Sequence, residues 1–314
     1  MNTVSHTLNQ FKDFTIEHPR FKHAIAVIMD SIEYTADMDD SGSAMLLGRP
    51  GTGKSRVCHR VQELLGRARE EERSSGLTKI IPCLYCPVPA NATTSKLLLT
   101  MLYKLGSSCS ARDNGTLLYS LFILIKISET KLVIIDEFQQ LAEKGADKTK
   151  ASMCDWVKML LNETGVACLL AGTPAFEAIV DDNDQLSHRY PYRVRLENFS
   201  YGRQGSGVKS EWSKVLSKLT AEMIKLGELT HYIYLSDDYF ALATYIFTGG
   251  NMRGLRLLLH AAFRRCLIRG DYALLQDDFI KAADEVVFKD RIRADINPFT
   301  TSAADLIKIL NKSL

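Results

Sequence analysis

The sequence predicts an α/β fold in which a central parallel sheet is flanked by helices and followed by a small α-helical lid. Three observations carry this prediction. A glycine-rich turn at residues 48–55 separates a short apolar run from a helical pattern, and two further apolar runs, at 131–135 and 166–171, each lead into polar residues. Short buried strands that alternate with helical patterns are typical of parallel sheets. Beyond residue 210 the apolar spacing is mainly helical, which predicts the lid.

The glycine-rich turn is the most specific motif in the chain. It matches the P-loop pattern G-x-x-x-x-G-K-[ST] and reads Gly48-Arg49-Pro50-Gly51-Thr52-Gly53-Lys54-Ser55. In such a loop, backbone N–H groups and the N-terminus of the following helix bind phosphate oxygens. We expect Lys54 to reach the β- and γ-phosphates of a nucleotide and the Ser55 hydroxyl to bind Mg²⁺. The helix after the loop is predicted over residues 56–72, where apolar residues recur at helical spacing.

Two acidic residues follow the apolar run at 131–135. Hydrolysis of a nucleoside triphosphate needs one carboxylate to hold Mg²⁺ and another to activate the attacking water. Ligands of open α/β sheets collect at the carboxyl ends of the strands, where Asp136 and Glu137 are expected to lie. We therefore assign Asp136 to Mg²⁺ and Glu137 to the general base. The alternative is an ordinary surface turn after a core strand.

One threonine and three arginines complete the predicted site. Thr173 follows the third apolar run and is positioned to hydrogen-bond the γ-phosphate or the attacking water. Arg189, or as a second choice Arg193, is a candidate arginine finger for a neighbouring subunit's γ-phosphate. Arg253 lies in the first turn of a predicted helix after two glycines and could reach a phosphate from the lid. For the first two arginines, the alternative is a solvated surface position.

The remaining segments give a domain plan. We expect an N-terminal helical segment over 1–40, a nucleotide-binding α/β domain over 41–200, a lid over 211–290 and a tail over 291–314. Residues 78–87 are predicted to form the second strand, and the prolines suggest that it is an edge strand or ends there. Further helices are predicted at 95–105, 116–128, 151–162, 211–226, 237–247, 253–269 and 276–290, with a linker at 201–210.

Composition sets limits on partners and location. The chain has 314 residues, 46% of them apolar, and a net charge of only +2, so any nucleic-acid contact must come from a local patch. An odd set of seven scattered cysteines is typical of a reduced, cytosolic protein. Cys83 and Cys86 form a lone C-x-x-C, and a zinc site would need two more ligands. No signal peptide or membrane span is expected, because the longest apolar stretch, at 117–127, is too short. We therefore expect a cytoplasmic protein without a membrane partner.

The order of these motifs resembles that of the AAA+ ATPases, and within them the chain is similar to the TnsC/TniB regulators of transposition. The segments that carry the closer resemblance are Glu17-His18-Pro19-Arg20-Phe21, Asp136-Glu137-Phe138-Gln139-Gln140-Leu141, Ala171-Gly172-Thr173-Pro174 and Gly249-Gly250-Asn251-Met252-Arg253-Gly254-Leu255. One departure is Tyr190, which follows Arg189 where the family would have Phe or Leu. The resemblance implies that ATP and Mg²⁺ bind between subunits of a homo-oligomeric ring or filament. It also implies assembly on double-stranded DNA, a link between a target-selection factor and a transposase, and disassembly on hydrolysis.

Two segments are candidates for the DNA contact that this resemblance implies. Thr94 and Lys96 lie at the start of a predicted helix, and Lys148 and Lys150 lie in a predicted basic loop at 144–150. Hydroxyls, lysines and helix N-termini suit the phosphate backbone and carry no sequence information. Binding of this kind weakens steeply with salt. The alternative for both segments is solvated surface.

Two other functions remain open. A replication initiator or helicase loader shares the same ATPase core, but such proteins usually add a DNA-recognition module, and the residues after Arg269 are few for one. A nucleotide-dependent signalling switch would bind ATP and oligomerise without DNA. ATP-dependent binding to DNA separates this last function from the other two.

Overall fold

The computed structural model describes residues 2–38, 42–74, 76–89, 93–108, 113–142, 147–202 and 210–313. The chain forms two compact units. The sheet unit is Pro19–Leu196, and the helical unit combines Met1–His18 with Glu197–Leu314. The helical unit begins with α1 (Asn2–Asp13).

The sheet unit is built on a five-stranded parallel sheet with strand order β4-β5-β6-β1-β7. Its strands are β1 (Ala44–Gly48), β2 (Arg69–Arg73), β3 (Gly76–Ile80), β4 (Cys83–Pro87), β5 (Leu132–Asp136), β6 (Ala167–Gly172) and β7 (Tyr192–Leu196). Its helices are α2 (Pro19–Met38), α3 (Lys54–Leu65), α4 (Thr94–Lys104), α5 (Asn114–Ile127), α6 (Gln139–Ala142), α7 (Asp147–Thr164), α8 (Glu177–Asp181) and α9 (Asp184–Ser187). The predicted central parallel sheet flanked by helices is confirmed.

Both faces of this sheet are buried, because successive side chains along a strand point to opposite sides. In β1, Ala44 and Leu46 pack with α2 and α3, whereas Met45 and Leu47 pack on the side of α4, α5 and α7. Every residue of β1, β5 and β6 is buried, which explains why these strands read as continuous apolar runs. The last residue of β5, Asp136, follows the same alternation onto the α3 side.

The segment after the P-loop helix differs from its prediction. The helix predicted over 56–72 ends at Leu65, and Gly66 turns the chain with φ 106°. The polar strand β2 then pairs antiparallel with β3, and the surface pairs of Glu71 with Arg69 and Arg73 lie on this hairpin. The single strand predicted over 78–87 is therefore two strands. The second of them, β4, is an edge strand of the main sheet, as predicted.

Two other boundaries also differ from the prediction. Helix α7 begins at Asp147, so Lys148 and Lys150 lie in a helix rather than in the predicted basic loop. Residues 143–146 of that loop lie outside the described residues, as do residues 203–209 of the predicted linker. The last lid helix ends at Glu285 rather than at residue 290, because the next residue, Val286, has an extended backbone.

The helical unit has its own apolar core. Its remaining elements are α10 (Glu211–Gly227), β8 (His231–Tyr232), α11 (Asp238–Thr248), α12 (Met252–Arg269), β9 (Ala273–Leu274), α13 (Gln276–Glu285) and α14 (Ala303–Ser313). Asn251 caps α12, and its side chain accepts hydrogen bonds from the backbone N–H groups of Arg253 and Gly254. Helix α14 buries Leu306 and Leu310 in this core.

Within the described ranges, no helix combines the length and the apolar character that crossing a membrane requires. The cysteines placed by the structure are unpaired and buried; they are Cys58, Cys83, Cys86, Cys154, Cys168 and Cys266. Burial raises the pKa of Cys83 to about 12 and that of Cys86 to about 11. A raised pKa leaves little thiolate, which is the reactive form, so the C-x-x-C pair is a core feature of β4.

Candidate nucleotide site

The P-loop connects the end of β1 to the start of α3. Gly51 and Gly53 have φ values of 83° and 106°, a region that residues with a Cβ rarely adopt. A Cβ at Gly48 would lie 2.5 Å from the carbonyl oxygen of Leu196. The geometry therefore requires glycine at these positions of the motif. The Thr52 hydroxyl closes the turn by donating to the carbonyl of Arg49 at 2.9 Å.

Lys54 is a buried cation at the start of α3, with only 5% of its surface exposed. Its Nζ donates to the carbonyl oxygens of Gly48 at 2.8 Å and Arg49 at 3.2 Å. Burial lowers the pKa of Lys54, while the negative charges of Glu137 and Asp136 act in the opposite direction. A desolvated ammonium group favours a nearby anion, which is the property that a phosphate site needs.

Asp136 is the point where three elements converge. Its Oδ2 accepts a hydrogen bond from the Ser55 hydroxyl at 2.7 Å and another from the Tyr85 hydroxyl at 2.8 Å. Its Oδ1 accepts from the backbone N–H of Glu137 at 2.9 Å. The carboxylate is 1% exposed, so these donors replace solvent. The sequence predicted that Asp136 and Ser55 share a magnesium site, but it did not indicate Tyr85. Tyr85 lies on β4, and its ring packs against His59 of α3.

The donor set around Asp136 fits a magnesium ion bound together with a nucleotide. Mg²⁺ prefers oxygen ligands and usually binds through one or two protein groups plus phosphate and water. The Ser55 hydroxyl and the Asp136 carboxylate supply such oxygens side by side. In the part of the chain that the structure describes, no cluster of three or more His, Cys, Asp or Glu side chains could form an all-protein metal cage.

Glu137 follows β5 in a conformation that is unusual for a residue with a side chain. Its φ is 58°, a left-handed value that is enriched at functional sites. The next residue anchors the turn, because the Phe138 N–H donates to the carbonyl of Ala171 on β6 at 3.0 Å, and its ring packs edge-on against Phe176. The half-buried Glu137 carboxylate accepts a hydrogen bond from Gln139 at 2.5 Å.

Gln139 also contacts the residue that follows β6. Thr173 follows β6, and its backbone N–H donates to Oε1 of Gln139 at 3.1 Å. The Thr173 side chain is half-buried and does not cap the 3-10 turn that it precedes. The structure thus brings Glu137 and Thr173 together, with Gln139 between them. Sequence reasoning missed this role of Gln139.

The predicted arginines have different surroundings. The Arg193 guanidinium is bound by Asp181 at 2.6 and 2.9 Å, by Ser187 and by Glu177, and the hydrogen bonds to Asp181 raise its pKa. Arg189 is half-buried, and its carbonyl accepts from the N–H of Ser43 at 2.9 Å. Arg253 is exposed in the first turn of α12 in the helical unit, as predicted.

The structure describes two of the four candidate DNA contacts, Thr94 and Lys96. Thr94 is half-buried and Lys96 is exposed in the first turn of α4. The helix is capped by Thr93, which accepts from the N–H of Lys96 at 3.3 Å. The side chains of Lys148 and Lys150 lie outside the described part of the structure.

Comparison with known families identifies a family match. The family described as bacterial TniB protein matches residues 7–201, more than half of the chain. A comparison with curated proteins finds no match.

Solved structures share the fold at low identity. Cdc6p from Pyrobaculum aerophilum has a TM-score of 0.61 at 14% identity, covering 88% of this chain and 70% of that one. The Aeropyrum pernix ORC2 protein, solved as ADPNP–ADP complexes, has a TM-score of 0.61 at 16% identity, covering 88% and 71%. The Aeropyrum pernix ORC1 protein in complex with DNA has a TM-score of 0.59 at 13% identity, covering 86% and 66%. The shared fold is that of the AAA+ ATPases, as the motifs predicted.

Proposed function

The chain belongs to the TniB family and is an AAA+ ATPase, and on this premise we propose that it regulates DNA transposition. In this proposal it oligomerises on double-stranded DNA with ATP bound and links a target-selection factor to the transposase. Hydrolysis then drives disassembly. The observation that carries the catalytic part is the convergence of Ser55, Asp136 and Glu137 at the carboxyl edge of the sheet.

Each residue of the site has a defined task in hydrolysis. Lys54 neutralises charge on the β- and γ-phosphates, and Ser55 and Asp136 hold Mg²⁺. Mg²⁺ held by Ser55 and Asp136 would supply positive charge to the phosphate oxygens. Glu137 accepts a proton from the attacking water, whose oxygen bonds to the γ-phosphorus as the bond to ADP breaks. Thr173 orients the water or the γ-phosphate, and the products are ADP and inorganic phosphate.

Two arginines complete the site in the oligomer. Arg189 is proposed to enter a neighbouring subunit's site as the arginine finger, which stabilises charge on the transferred group. Arg193 is the second choice, and it would have to break its ion pairs with Asp181 and Glu177 to act in trans. Arg253 is proposed to contact phosphate from the helical unit.

The DNA part of the proposal concerns the phosphate backbone. The Aeropyrum pernix ORC1 protein, solved in complex with DNA, supports a DNA-binding role for a chain with this fold. With a net charge of +2, the contact must come from local groups, for which we propose Thr94, Lys96, Lys148 and Lys150. Such contacts carry no sequence preference and weaken with salt.

A second candidate function is that of a replication initiator or helicase loader. It is favoured by the likeness to Cdc6p and to domain III of the Thermotoga maritima replication initiation protein DnaA, which has a TM-score of 0.51 at 12% identity. Preference for one duplex sequence over a scrambled duplex of equal length would favour the initiator. Equal binding to both would favour the transposition regulator.

Electron microscopy of the purified chain on linear duplex DNA tests the proposal. We expect rings or filaments on DNA with a slowly hydrolysed ATP analogue and none with ADP. Lys54→Ala is the matched control, because it removes the phosphate-binding cation and should abolish assembly. Oligomers that form equally well without DNA would instead indicate a nucleotide switch, and the proposed DNA contacts would then be wrong.

A further inference from the structure

Gln139 is a buried polar residue at the first position of α6, with 5% of its surface exposed. Both ends of its side-chain amide are engaged. Nε2 donates to the Glu137 carboxylate at 2.5 Å, and Oε1 accepts from the Thr173 N–H at 3.1 Å. The partners fix the orientation of the amide, because a backbone N–H can only donate and an ionised carboxylate can only accept.

We propose that Gln139 is a positioning residue for hydrolysis, which holds the Glu137 carboxylate in register with the end of β6. This inference rests on the proposed function, in which Glu137 is the general base and Thr173 contacts the γ-phosphate or the attacking water. Gln139 contacts neither of these reactants in the proposal. It acts on the Glu137 carboxylate, and the Thr173 backbone anchors it.

Glu137 needs such a partner because its own backbone does not determine where its carboxylate points. The residue stands in a tight left-handed turn after β5, and its side chain is half-buried. A hydrogen bond from a buried amide restricts the position of the carboxylate that has to reach the attacking water. The same amide is tied to the Thr173 backbone, so a shift at the end of β6 alters the position of the group that restrains Glu137.

The Gln139 amide lies in the space that the missing side chain of Gly172 leaves open. A Cβ at Gly172 would lie 2.2 Å from Oε1 of Gln139 and 3.0 Å from the ring of Phe176. The first of these atoms is the end of a flexible side chain, which can move aside. Gly172→Ala should therefore displace the Gln139 amide while leaving residue 139 unchanged. This gives a second, independent way to break the contact.

Single-turnover ATP hydrolysis by the full chain tests the proposal. Gln139→Ala and Gly172→Ala should each slow hydrolysis about 10- to 100-fold, because catalysis is sensitive to displacement of a base by about 1 Å. Binding of a fluorescent ATP analogue should stay within about two-fold of wild type, since Gln139 lies outside the phosphate-binding loop. Gln140→Ala is the matched control, because the side chain of this neighbouring half-buried glutamine takes no part in the Glu137–Gln139–Thr173 contact, and its backbone N–H is kept.

A charge variant separates positioning from simple structural support. Gln139→Glu keeps an acceptor for the Thr173 N–H but replaces the donor that faces Glu137 with a like charge. Repulsion between the two carboxylates removes the restraint on Glu137, so single-turnover hydrolysis should slow at least as much as in Gln139→Ala, while binding of the ATP analogue stays within about two-fold of wild type. A hydrolysis rate equal to wild type would show that residue 139 does not act on the base.

The Glu137→Gln background distinguishes the two ways in which the inference could fail. If Gln139 acts through Glu137, adding Gln139→Ala to Glu137→Gln should cost less than two-fold more in rate. A full additional 10-fold loss would contradict the inference. If Glu137→Gln alone turns over like wild type, the proposed base is wrong and the inference falls with it. If that variant is inactive while the Gln139 and Gly172 variants match Gln140→Ala, only the inference is wrong.

Discussion

The two ends of β5 each carry a glutamate with a left-handed backbone. Glu129 precedes the strand with a φ of 50°, and Glu137 follows it with a φ of 58°. At the amino end, Glu129 is exposed and pairs with Arg73 of the β2–β3 hairpin at 2.5 Å. At the carboxyl end, Glu137 is half-buried beside Asp136 and is held by Gln139.

The comparison shows that unusual backbone geometry alone does not identify a catalytic residue. Glu129 lies just after the end of α5, where its N–H donates to the carbonyl of Lys126, and glycine commonly takes such a left-handed position. Glu137 lies at the edge where the P-loop, β5 and β6 deliver their polar groups. Position in the sheet therefore separates the two glutamates, and substitutions should affect them very differently.

The largest effect is expected from Glu137→Gln. It keeps the shape of the side chain and an acceptor for Gln139, but it removes the proton acceptor, so the hydrolysis rate should fall about 10²- to 10⁴-fold. ATP binding should persist, and assemblies should remain on DNA after ATP is added. Steady-state phosphate release and DNA retention over time measure both effects.

Glu129→Gln is the matched control for that variant. Its ion pair with Arg73 is exposed, and such pairs contribute little to stability. Hydrolysis should match wild type. Equal losses of activity in both variants would mean that the left-handed turns, rather than the carboxylate at the sheet edge, determine activity.

Much of this contrast could be predicted from the sequence. The P-loop pattern and the strand ending in Asp136 and Glu137 place the reacting groups, since strand order and the carboxyl-edge rule bring them together. Gln139 and Tyr85 escaped prediction because their partners are set by the pairing of β4, β5 and β6, which no single segment reveals.

The β2–β3 hairpin escaped prediction for a different reason. The segment Arg69-Glu70-Glu71-Glu72-Arg73 consists of residues that favour helices and lacks the apolar alternation of a half-buried strand. It forms a strand because Gly66 ends α3 and because β3 offers it a pairing edge. Tertiary context overrides local propensity in such polar segments.

An intermediate effect is expected from Tyr85→Phe, which tests the hydrogen bonding of Asp136 at the carboxyl end of β5. The variant keeps the ring against His59 but removes one of the donors to Asp136. Substituting a group that orients a metal ligand typically weakens metal binding about 10- to 100-fold. Two donors to Asp136 remain in this variant, so we expect about a 10-fold rise in the Mg²⁺ concentration for half-maximal hydrolysis.

A magnesium titration of hydrolysis at saturating ATP measures this effect. Tyr103→Phe is the control, because Tyr103 is an exposed tyrosine on α4 outside the site. The same magnesium dependence in both variants would mean that the Tyr85 hydroxyl does not tune Asp136.

The smallest effect is expected from Lys96→Ala, which tests whether the start of α4 contacts DNA. Lys96 is exposed and offers an accessible charge at the start of α4, close to the N–H groups of the first turn. Losing one phosphate contact should weaken DNA binding equally for all sequences and reduce the slope of log affinity against log salt by about 1. Lys104→Ala, an exposed lysine in the last turn of the same helix, should leave the slope unchanged. Identical slopes for wild type and both variants would place the DNA surface away from α4, while leaving the nucleotide site as described.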